Sequence, residues 1–437
     1  MVSIAATDAA SGEPGNAGQF TVTLGAASAS NTVITYAVSA TAANGTDFAL
    51  LTSPVTILAG ATTAVIDISV FDDLVVEGAE TVTMTLTGIS GGDTDIRVDG
   101  TANAASVTIA DNDAATLTVG DVTVNEGAGT ITFSITVDRA VQGGFSVDAV
   151  FTNGTATGGA DFANATQTLA FTGTAGEVRT VTRAITDDAI IEATESFTVS
   201  LANLVPVTAP PGSFTFSDTA TGTILDNDAA TLTVGDVTVN EGAGTITFSV
   251  TVDRAVGGGF SIDAVFANGT ATGGADFGNA TQTLAFTGSA GEVRSVTRAI
   301  TDDAIVEANE TFTVSLASLV TVTAPPASFT FSDTGTGTIV DNDTATLTVG
   351  DVSVNEAAGT ITFSVIVDRA VQGGFSIDAL FANGTATGGA DFGNSTQTLA
   401  FTGTAGEVRT VTRAITDDAI VEATESFTVS LAHLVPV

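Results

Sequence analysis

Apolar and polar residues alternate one by one along much of the chain. From Ile131 to Val137 every second residue is apolar, and the residues between them are Thr or Ser. The same period of two recurs from Phe145 to Phe151 and from Phe197 to Leu201. Because successive side chains of a strand point to opposite faces, this pattern predicts half-buried antiparallel strands. No segment has a convincing helical period, so the sequence predicts an all-β protein.

The pattern also repeats on a much longer scale. The triplet Asp-Asn-Asp begins at Asp111, Asp226 and Asp341, so two consecutive intervals are 115 residues long. A unit of this length is too long for a solenoid repeat and is typical of an independent domain. About seven short strands within such a unit, separated by turns such as Asn153-Gly154, predict an immunoglobulin-like antiparallel β-sandwich. We therefore predict four tandem domains, called repeats 1 to 4, at residues 1–113, 114–228, 229–343 and 344–437.

The last repeat is incomplete. Repeat 4 stops at Val437, before the final strand and the closing Asp-Asn-Asp that end the other repeats. Either the chain is cut from a longer array, which we favour, or another chain supplies the missing strand. Between complete repeats there is no flexible linker, because the strand pattern resumes at Ala230, shortly after Asp228. Short junctions of this kind predict an elongated, stiff rod.

The charge of the chain is strongly one-sided. It has 49 acidic residues against 10 Arg and no Lys, which gives a formal net charge of −39. Such a surface repels nucleic acid and anionic membranes, so its expected partners are cations. No apolar run is long enough to span a membrane, and the first residues lack the features of a signal peptide. If the parent protein is exported, we expect this chain to be a mature piece of it.

Most of the acids occupy the same positions in every repeat. Eight recur in each of repeats 1, 2 and 3 and six in repeat 4, which together make 30 of the 49. They are predicted at strand ends or in loops, which in a sandwich can converge on one tip. Two carboxylates about 4 Å apart repel by about 1 kcal/mol in water and by about 4 kcal/mol at an effective dielectric constant of 20. Such a cluster needs a cation or raised pKa values of its carboxyl groups.

The chemistry of the cluster favours calcium. Oxygen ligands without His or Cys select Ca²⁺, and eight acids are enough for more than one ion in each complete domain. The alternative is that the acids only keep a secreted protein soluble. Diverged repeat 1 has changed most other residues and still retains all eight acids, which favours the metal site.

Catalytic residues are scarce. The chain has no Cys or Trp, its only His is His433 and its only Tyr is Tyr36, and neither recurs in the other repeats. No Ser-His-Asp set or phosphate-binding glycine loop is present, and a paired-carboxylate glycosidase would lack an aromatic platform for its sugar. We therefore predict that the chain is not an enzyme.

Arg179 and Arg183 recur as Arg294 and Arg298 in repeat 3 and as Arg409 and Arg413 in repeat 4. Both members of a pair are expected on one side of a strand. We predict that they form surface salt bridges with nearby acids. A lateral contact with a neighbouring rod is the alternative.

Five segments of repeat 2 together resemble the Calx-β domain: Gly154-Thr155-Ala156, Gly159-Ala160-Asp161-Phe162, Asp187-Asp188, Glu195-Ser196-Phe197 and Asp226-Asn227-Asp228. The resemblance covers essentially the whole chain, four times over. It implies a sandwich of about seven strands whose calcium ions bind in loops at one end. At the position of Asn227, the Calx-β domains of animal exchangers have a third acid. A lower site charge and a lower calcium affinity are therefore expected here. The Leu-Asp-Arg-Glu signature of cadherin repeats is absent.

By this resemblance, the recurrent acids are the calcium ligands. They are Glu13, Asp47, Asp72, Asp73, Glu77, Glu80, Asp111 and Asp113 in repeat 1; Glu126, Asp161, Asp187, Asp188, Glu192, Glu195, Asp226 and Asp228 in repeat 2; Glu241, Asp276, Asp302, Asp303, Glu307, Glu310, Asp341 and Asp343 in repeat 3; and Glu356, Asp391, Asp417, Asp418, Glu422 and Glu425 in repeat 4. Because repeat 4 lacks the closing triplet, its six acids are expected to bind calcium weakly or not at all.

Calx-β domains occur as calcium sensors in membrane exchangers and as tandem arrays in bacterial surface proteins. The near-identical repeats, the strands rich in Ala, Thr and Gly, and the lack of Cys resemble the bacterial arrays. We therefore predict a calcium-stiffened structural or adhesive array that is extracellular or on the cell surface. Its expected partners are calcium, the neighbouring repeats and other copies in a fibre or layer. The alternative is a calcium-sensing regulatory module of a larger membrane or signalling protein.

Overall fold

The alternating pattern forms a structure built almost wholly of β-sheet. A computed structural model describes residues 1–216, 219–331 and 334–437. The chain forms two compact units, Met1–Asp188 with Thr194–Asn227 and Ala189–Ala193 with Asp228–Val437. In the described ranges the helical segments are single 3-10 turns at Glu126–Ala128, Pro211–Ser213, Glu241–Ala243, Pro326–Ser328 and Glu356–Ala358. The prediction of an all-β chain of tandem sandwiches is confirmed.

The strands of the first unit lie where the alternation predicts them. In residues 1–113 they are Val2–Asp8, Ala10–Gly12, Gly18–Leu24, Thr32–Ala40, Val55–Ile57, Thr63–Ile68, Glu80–Gly91 and Ala104–Ala110. In residues 114–227 they are Ala115–Val119, Val122–Asn125, Thr130–Val137, Phe145–Asn153, Gln167–Phe171, Val178–Ala184, Glu195–Pro206, Phe214–Phe216 and Thr219–Leu225.

The second unit repeats the same order of strands. It begins with Ile190–Ile191 and continues with Ala230–Val234, Val237–Asn240, Thr245–Val252, Ala255–Val256, Phe260–Asn268, Gln282–Phe286, Val293–Ala299, Glu310–Thr321, Phe329–Thr330 and Thr334–Val340. The strands of repeat 4 are Leu347–Val349, Thr360–Val367, Phe375–Asn383, Gln397–Phe401, Val408–Ala414 and Phe427–Pro436.

Each complete repeat packs two sheets around one core. In repeat 2 the five-stranded sheet has the order Val122–Asn125, Thr219–Leu225, Glu195–Pro206, Phe145–Asn153, Gln167–Phe171, and the four-stranded sheet has the order Val178–Ala184, Thr130–Val137, Ala115–Val119, Phe214–Phe216. The long strands pair antiparallel, whereas Val122–Asn125 runs parallel to Thr219–Leu225. The parallel pair arises because the chain crosses from one sheet to the other between Val119 and Val122.

A stack of Phe rings connects the core to the acidic loops. In repeat 2 the rings of Phe162 and Phe197 stack with their centroids 3.9 Å apart, and both side chains are fully buried. A Cβ at Gly222 would lie 2.5 Å from the Phe197 ring, so only glycine leaves room for this ring. Phe162 directly follows Asp161, and Phe197 lies two residues after Glu195. Core packing therefore fixes the backbone beside two predicted ligands.

The prediction of paired surface salt bridges is half wrong. Arg179 pairs with Glu177 across 2.6 Å, as expected for an exposed arginine. Arg183 is buried instead, with its guanidinium 4.4 Å from the centroid of the Phe151 ring, and it donates to the backbone oxygen of Ala165. Its face of the strand lies over the aromatic edge of the core, where a planar cation packs favourably on a ring. The equivalent arginines of repeats 3 and 4 pack in the same way.

Repeat 4 has an open sheet edge. Its strand Phe427–Pro436 pairs with Phe375–Asn383, which in turn pairs with Gln397–Phe401. Across the residues that the structure describes, no strand covers the other edge of Phe427–Pro436. Leu434 is correspondingly exposed, whereas its counterpart in repeat 2, Leu204, is partly buried.

Candidate metal centre

The acids of repeat 3 surround a small pocket. The pocket has a volume of about 110 Å³, and its carboxylates are those of Glu241, Asp276, Asp303, Glu307, Glu310 and Asp341. Glu241 begins a 3-10 turn whose preceding residue, Asn240, caps it by accepting a hydrogen bond from the N–H of Gly242. The recurrent Val-Asn-Glu motif thus places a Glu side chain in the pocket, where it is only 5% exposed.

Two three-carboxylate groupings occur in repeat 1. Glu13, Asp72 and Asp113, which we call the closing cluster, offer oxygens that all lie within 4.8 Å of one another. Asp47, Glu77 and Glu80, which we call the inner cluster, meet the same limit. The structure thus brings together six of the eight predicted acids of this repeat. In repeat 3 the closing cluster is formed by Glu241, Asp341 and Asp343.

Backbone hydrogen bonds hold several of these carboxylates in place. In repeat 3, Asp276 Oδ2 accepts from the N–H of Thr272 at 2.6 Å and Asp303 Oδ1 from the N–H of Ile305 at 2.7 Å. Asp341 accepts through Oδ2 from the N–H of Glu307 at 3.1 Å. One oxygen of each side chain therefore anchors a loop of the site.

Asn227 and Asn342 occupy the middle of the closing triplets. Their side-chain amides donate to Oδ1 of Asp187 and Asp302, respectively, each at 3.3 Å. The amide therefore supports the first aspartate of the Asp-Asp pair, at the position where the exchanger form of the pattern has an acid.

Hydrogen bonds also hold other predicted acids of repeats 1 and 2. Asp73 Oδ1 accepts from the N–H of Val75, and Asp111 Oδ2 accepts from the N–H of Glu77, so both brace the acidic loop of repeat 1. In repeat 2, Glu126 is buried and Asp161 accepts from the N–H of Thr157. The compact units divide the acids of repeat 2, with Asp188, Glu195 and Asp226 in the first unit and Glu192 and Asp228 in the second.

The acids of repeat 4 are more open. Glu356 Oε1 accepts from the N–H of Asp418 at 3.3 Å, and Asp391 Oδ2 from the N–H of Thr387 at 2.7 Å. Asp417, Glu422 and Glu425 are exposed. Within the described part of repeat 4, no three carboxylates meet the limit that the clusters of repeats 1 and 3 meet.

The closing clusters hold more negative charge than the arginines paired with Asp113 and Asp343 neutralise. Buried oxygens of Glu13 (Oε2), Asp113 (Oδ2), Glu241 (Oε1) and Asp343 (Oδ2) have no hydrogen-bond partner among the described residues. Leaving a buried carboxylate oxygen without a donor is costly unless a cation supplies the contact. The donor set is hard oxygen throughout, so these residues fit Ca²⁺.

Proton affinity in the clusters is raised for the same reason. Burial, reinforced by repulsion from neighbouring carboxylates, raises the pKa of four Glu side chains to about 7. They are Glu13, Glu77, Glu241 and Glu310. Without an ion, these groups hold a proton near neutral pH to reduce the local repulsion.

We expect the calcium-free chain to lose stability as the pH rises from about 5 to about 8. A Glu whose pKa is about 7 in the folded chain and 4.5 as its ordinary value binds more protons folded than unfolded. Its stabilising proton is therefore fully present below the lower pKa and is lost as the pH passes the higher one. Calorimetric melting of the metal-stripped chain across this range measures the effect.

Glu77→Gln should flatten this pH dependence, because a neutral amide replaces a titrating carboxyl. The matched control is Asp95→Asn, which removes one exposed acid outside the clusters. A melting temperature that rises over the same interval, or equal slopes for the two variants, would contradict the assignment.

Four residues that the sequence analysis did not single out join repeat 1 to repeat 2. Val76 lies in the acidic loop between Asp73 and Glu77, is fully buried, and belongs to the core of repeat 2. Its N–H donates to Ala140 O and its carbonyl accepts from the N–H of Gln142, both at 2.9 Å. Arg139 of repeat 2 pairs with Asp113 of the closing cluster.

The second unit contains the same junction between repeats 3 and 4. Val306 exchanges backbone hydrogen bonds with Ala370 and Gln372, both at 2.9 Å. Arg369 pairs with Asp343. One signal in the sequence could have revealed these contacts. The motif Asp-Arg-Ala-Val at 138–141, 253–256 and 368–371 keeps the 115-residue spacing and is absent from repeat 1.

Sandwich domains in tandem, with recurrent carboxylates gathered in the loops of repeats 1 and 3, define the class of this chain as a β-sandwich array with candidate metal sites. The model of the Calx-beta domain matches residues 2–113, 114–228, 226–343 and 340–436. The chain therefore belongs to the Calx-beta family, as the resemblance implied. Calx-beta domains are calcium-binding modules, and the family is one of binding and regulatory domains.

Several solved structures are similar to the chain. CBD12 from CALX1.2 is 19% identical, covers 52% of this chain and 100% of its own, and has a TM-score of 0.24. The apo-form Calx CBD1 domain is 23% identical, covers 26% and 100%, and has a TM-score of 0.23. A tetra-tandem repeat in the extending region of a large adhesion protein is 16% identical, covers 99% and 97%, and has a TM-score of 0.36.

No curated protein matches the chain. Among the described residues, no helix has both the length and the apolar character needed to cross a membrane.

Proposed function

We propose that this chain is a calcium-stiffened extracellular array whose repeats form a rod with a structural or adhesive role. One observation carries the proposal. The acidic loop that supplies predicted calcium ligands also inserts one of its residues, Val76, into the core of the following repeat. The ion site and the repeat junction are therefore parts of the same six-residue loop, Asp72 to Glu77.

The proposed mechanism couples ion binding to docking. Calcium at the closing and inner clusters neutralises the carboxylates on both sides of Val76 and fixes the loop that holds it. Without the ion, like charges a few ångströms apart repel, by about 1 to 4 kcal/mol per pair depending on the local dielectric constant. The loop and the junction then loosen together.

The proposed ligands are the thirty recurrent acids, in the repeats bounded at 113/114, 228/229 and 343/344. Two clusters in repeat 1 support more than one ion in a complete repeat. The exposed acids of repeat 4 support weaker binding there. Extracellular calcium is millimolar, which is enough to fill even weak sites of this chemistry. Neighbouring repeats, and other copies in a fibre or layer, are the proposed protein partners.

Small-angle scattering of the full chain tests this function. We expect the maximum dimension to be larger and the ensemble narrower in millimolar calcium than in chelator, because filled junctions restrict bending. As a control, magnesium should reproduce little of the change, since it requires a smaller and stricter octahedral site.

The same scattering curve with calcium and with chelator would contradict the stiffening mechanism. A change that is complete at micromolar calcium would instead favour the sensor, because regulatory calcium sites work at about 10⁻⁷ to 10⁻⁵ M.

A further inference from the structure

One amide from the following repeat reaches the inner cluster of the preceding repeat. Gln142 Nε2 lies 3.1 Å from Glu77 Oε1 and 3.4 Å from Glu80 Oε1. At the junction of repeats 3 and 4, Gln372 Nε2 lies 3.0 Å from Glu307 Oε1. The same contact therefore forms in each of the two compact units.

The backbone of each glutamine is held by the loop that carries the carboxylate. The N–H of Gln142 donates to Val76 O, and Val76 directly precedes Glu77; the N–H of Gln372 donates to Val306 O in the same way. The docking of the two repeats therefore places the glutamine amide beside the glutamate of the preceding repeat.

A glutamine amide can interact with a carboxylate cluster both when the cluster is free of ions and when it holds calcium. It carries two N–H donors and one carbonyl acceptor on the same planar group. A half-turn about its last carbon–carbon bond exchanges nitrogen and oxygen at one place. The N–H groups suit carboxylates without an ion, and the oxygen suits calcium, which accepts side-chain amide carbonyls as ligands.

We propose that Gln142 and Gln372 are calcium ligands supplied across the repeat junction through Oε1. This inference rests on the proposed function, because it assigns a further ligand to the same calcium sites. It makes full affinity at the inner cluster depend on the following repeat. Binding of the ion and docking of the repeats then strengthen each other by the same factor.

Repeat 3 provides a natural comparison. The residue of repeat 3 that corresponds to Gln142 and Gln372 is Gly257. Its φ is not positive, so a glutamine could adopt the same backbone conformation. A Cβ at Gly257 would lie 3.7 Å from Cγ of Glu192, which occupies the place of Glu77 and Glu307 in the repeat, and both residues belong to the second unit. A glutamine at position 257 would therefore lie beside Glu192, as Gln142 lies beside Glu77 and Gln372 beside Glu307.

The test compares loss and gain of the amide in the full chain. One variant carries Gln142→Gly and Gln372→Gly, and the other carries Gly257→Gln. Calcium is titrated in competition with a chromophoric chelator. We expect the double variant to bind with unchanged stoichiometry but about tenfold more weakly at two sites, and the Gly257→Gln variant to bind about tenfold more tightly at one.

A second readout counts water at the ion. With europium in place of calcium, the luminescence lifetimes in water and heavy water should show additional bound water in the double variant, because solvent replaces each lost amide oxygen. Gln142→Leu, which keeps the side-chain bulk, should behave like Gln142→Gly. A gain of water together with weaker binding supports ligation and not packing alone.

Two different results would contradict the glutamine proposal, and only one of them would also contradict the proposed function. Unchanged or tighter calcium binding in the double variant would show that the amide serves only the ion-free carboxylates, and this inference would fail alone. Absence of calcium binding in the unaltered chain would overturn the proposed function as well.

Discussion

Removing calcium from the full chain is expected to lower its melting temperature by roughly 10 °C or more. An ion present at about a hundredfold excess over its dissociation constant stabilises the folded state by about 2.7 kcal/mol. For a domain of this size, each kcal/mol shifts the melting temperature by about 4 °C. Buried carboxylate oxygens without a donor, such as Glu13 Oε2 and Glu241 Oε1, are the physical source of the effect. Calorimetry in millimolar calcium and in chelator, with a parallel ion titration, measures it.

The calcium-induced rise in melting temperature is expected to depend on where an acid lies and not on net charge alone. Asp95→Asn removes one negative charge from an exposed site and should leave the calcium-induced shift intact. Glu80→Gln removes one from the inner cluster, where the side chain is 7% exposed, and should reduce the shift. Equal melting with and without calcium, and no heat of binding, would reduce the recurrent acids to a role in solubility.

Val76→Asp is expected to destabilise the junction of repeats 1 and 2 by at least about 3 kcal/mol. The substitution removes a fully buried apolar side chain, which contributes about 1.5 kcal/mol or more. It also places a carboxylate without a partner in the core of repeat 2, beside an acidic cluster. Calorimetric unfolding and limited proteolysis of the full chain measure the loss.

Repeat 4 contains the matched control for this substitution. Val421 occupies the same place in the loop 417–422 (Asp-Asp-Ala-Ile-Val-Glu) as Val76 does in the loop 72–77 (Asp-Asp-Leu-Val-Val-Glu), and its side chain is 100% exposed. Val421→Asp adds the same charge to the same kind of loop and should change stability by less than about 0.5 kcal/mol. Equal losses for the two variants would mean that the loop, and not its insertion into the next repeat, is responsible.

The fold was predictable because it depends on local pattern. Alternation from Ile131 to Val137 appears in the structure as the strand Thr130–Val137, with its apolar side chains buried. Strand and turn signals of this kind act over a few residues, and the 115-residue spacing supplied the number of domains. The parallel pairing of Val122–Asn125 was not predictable, because alternation does not specify which sheet a short edge strand joins.

The acidic character of the candidate site was also predictable, although its geometry was not. Recurrence identified carboxylates such as Glu77, Glu80 and Asp113, and their oxygen-only character pointed to calcium. Which oxygens approach one another depends on loops that are distant in sequence. Arg183 shows the same limit, because the ring of Phe151 beneath it, and not a nearby acid, determines its partner.

The sequence by itself determined the strands, the repeat and the recurrent acidic positions of this protein, since each depends on residue types at short or regular spacing. Only the tertiary structure decided how the repeats meet. Val76 and Val421 lie in the same local motif, yet one is 0% exposed and the other 100%. Likewise, Gln142 meets Glu77 although 65 residues separate them. Burial and cross-repeat contact depend on the neighbouring domain, whose surface no local pattern encodes.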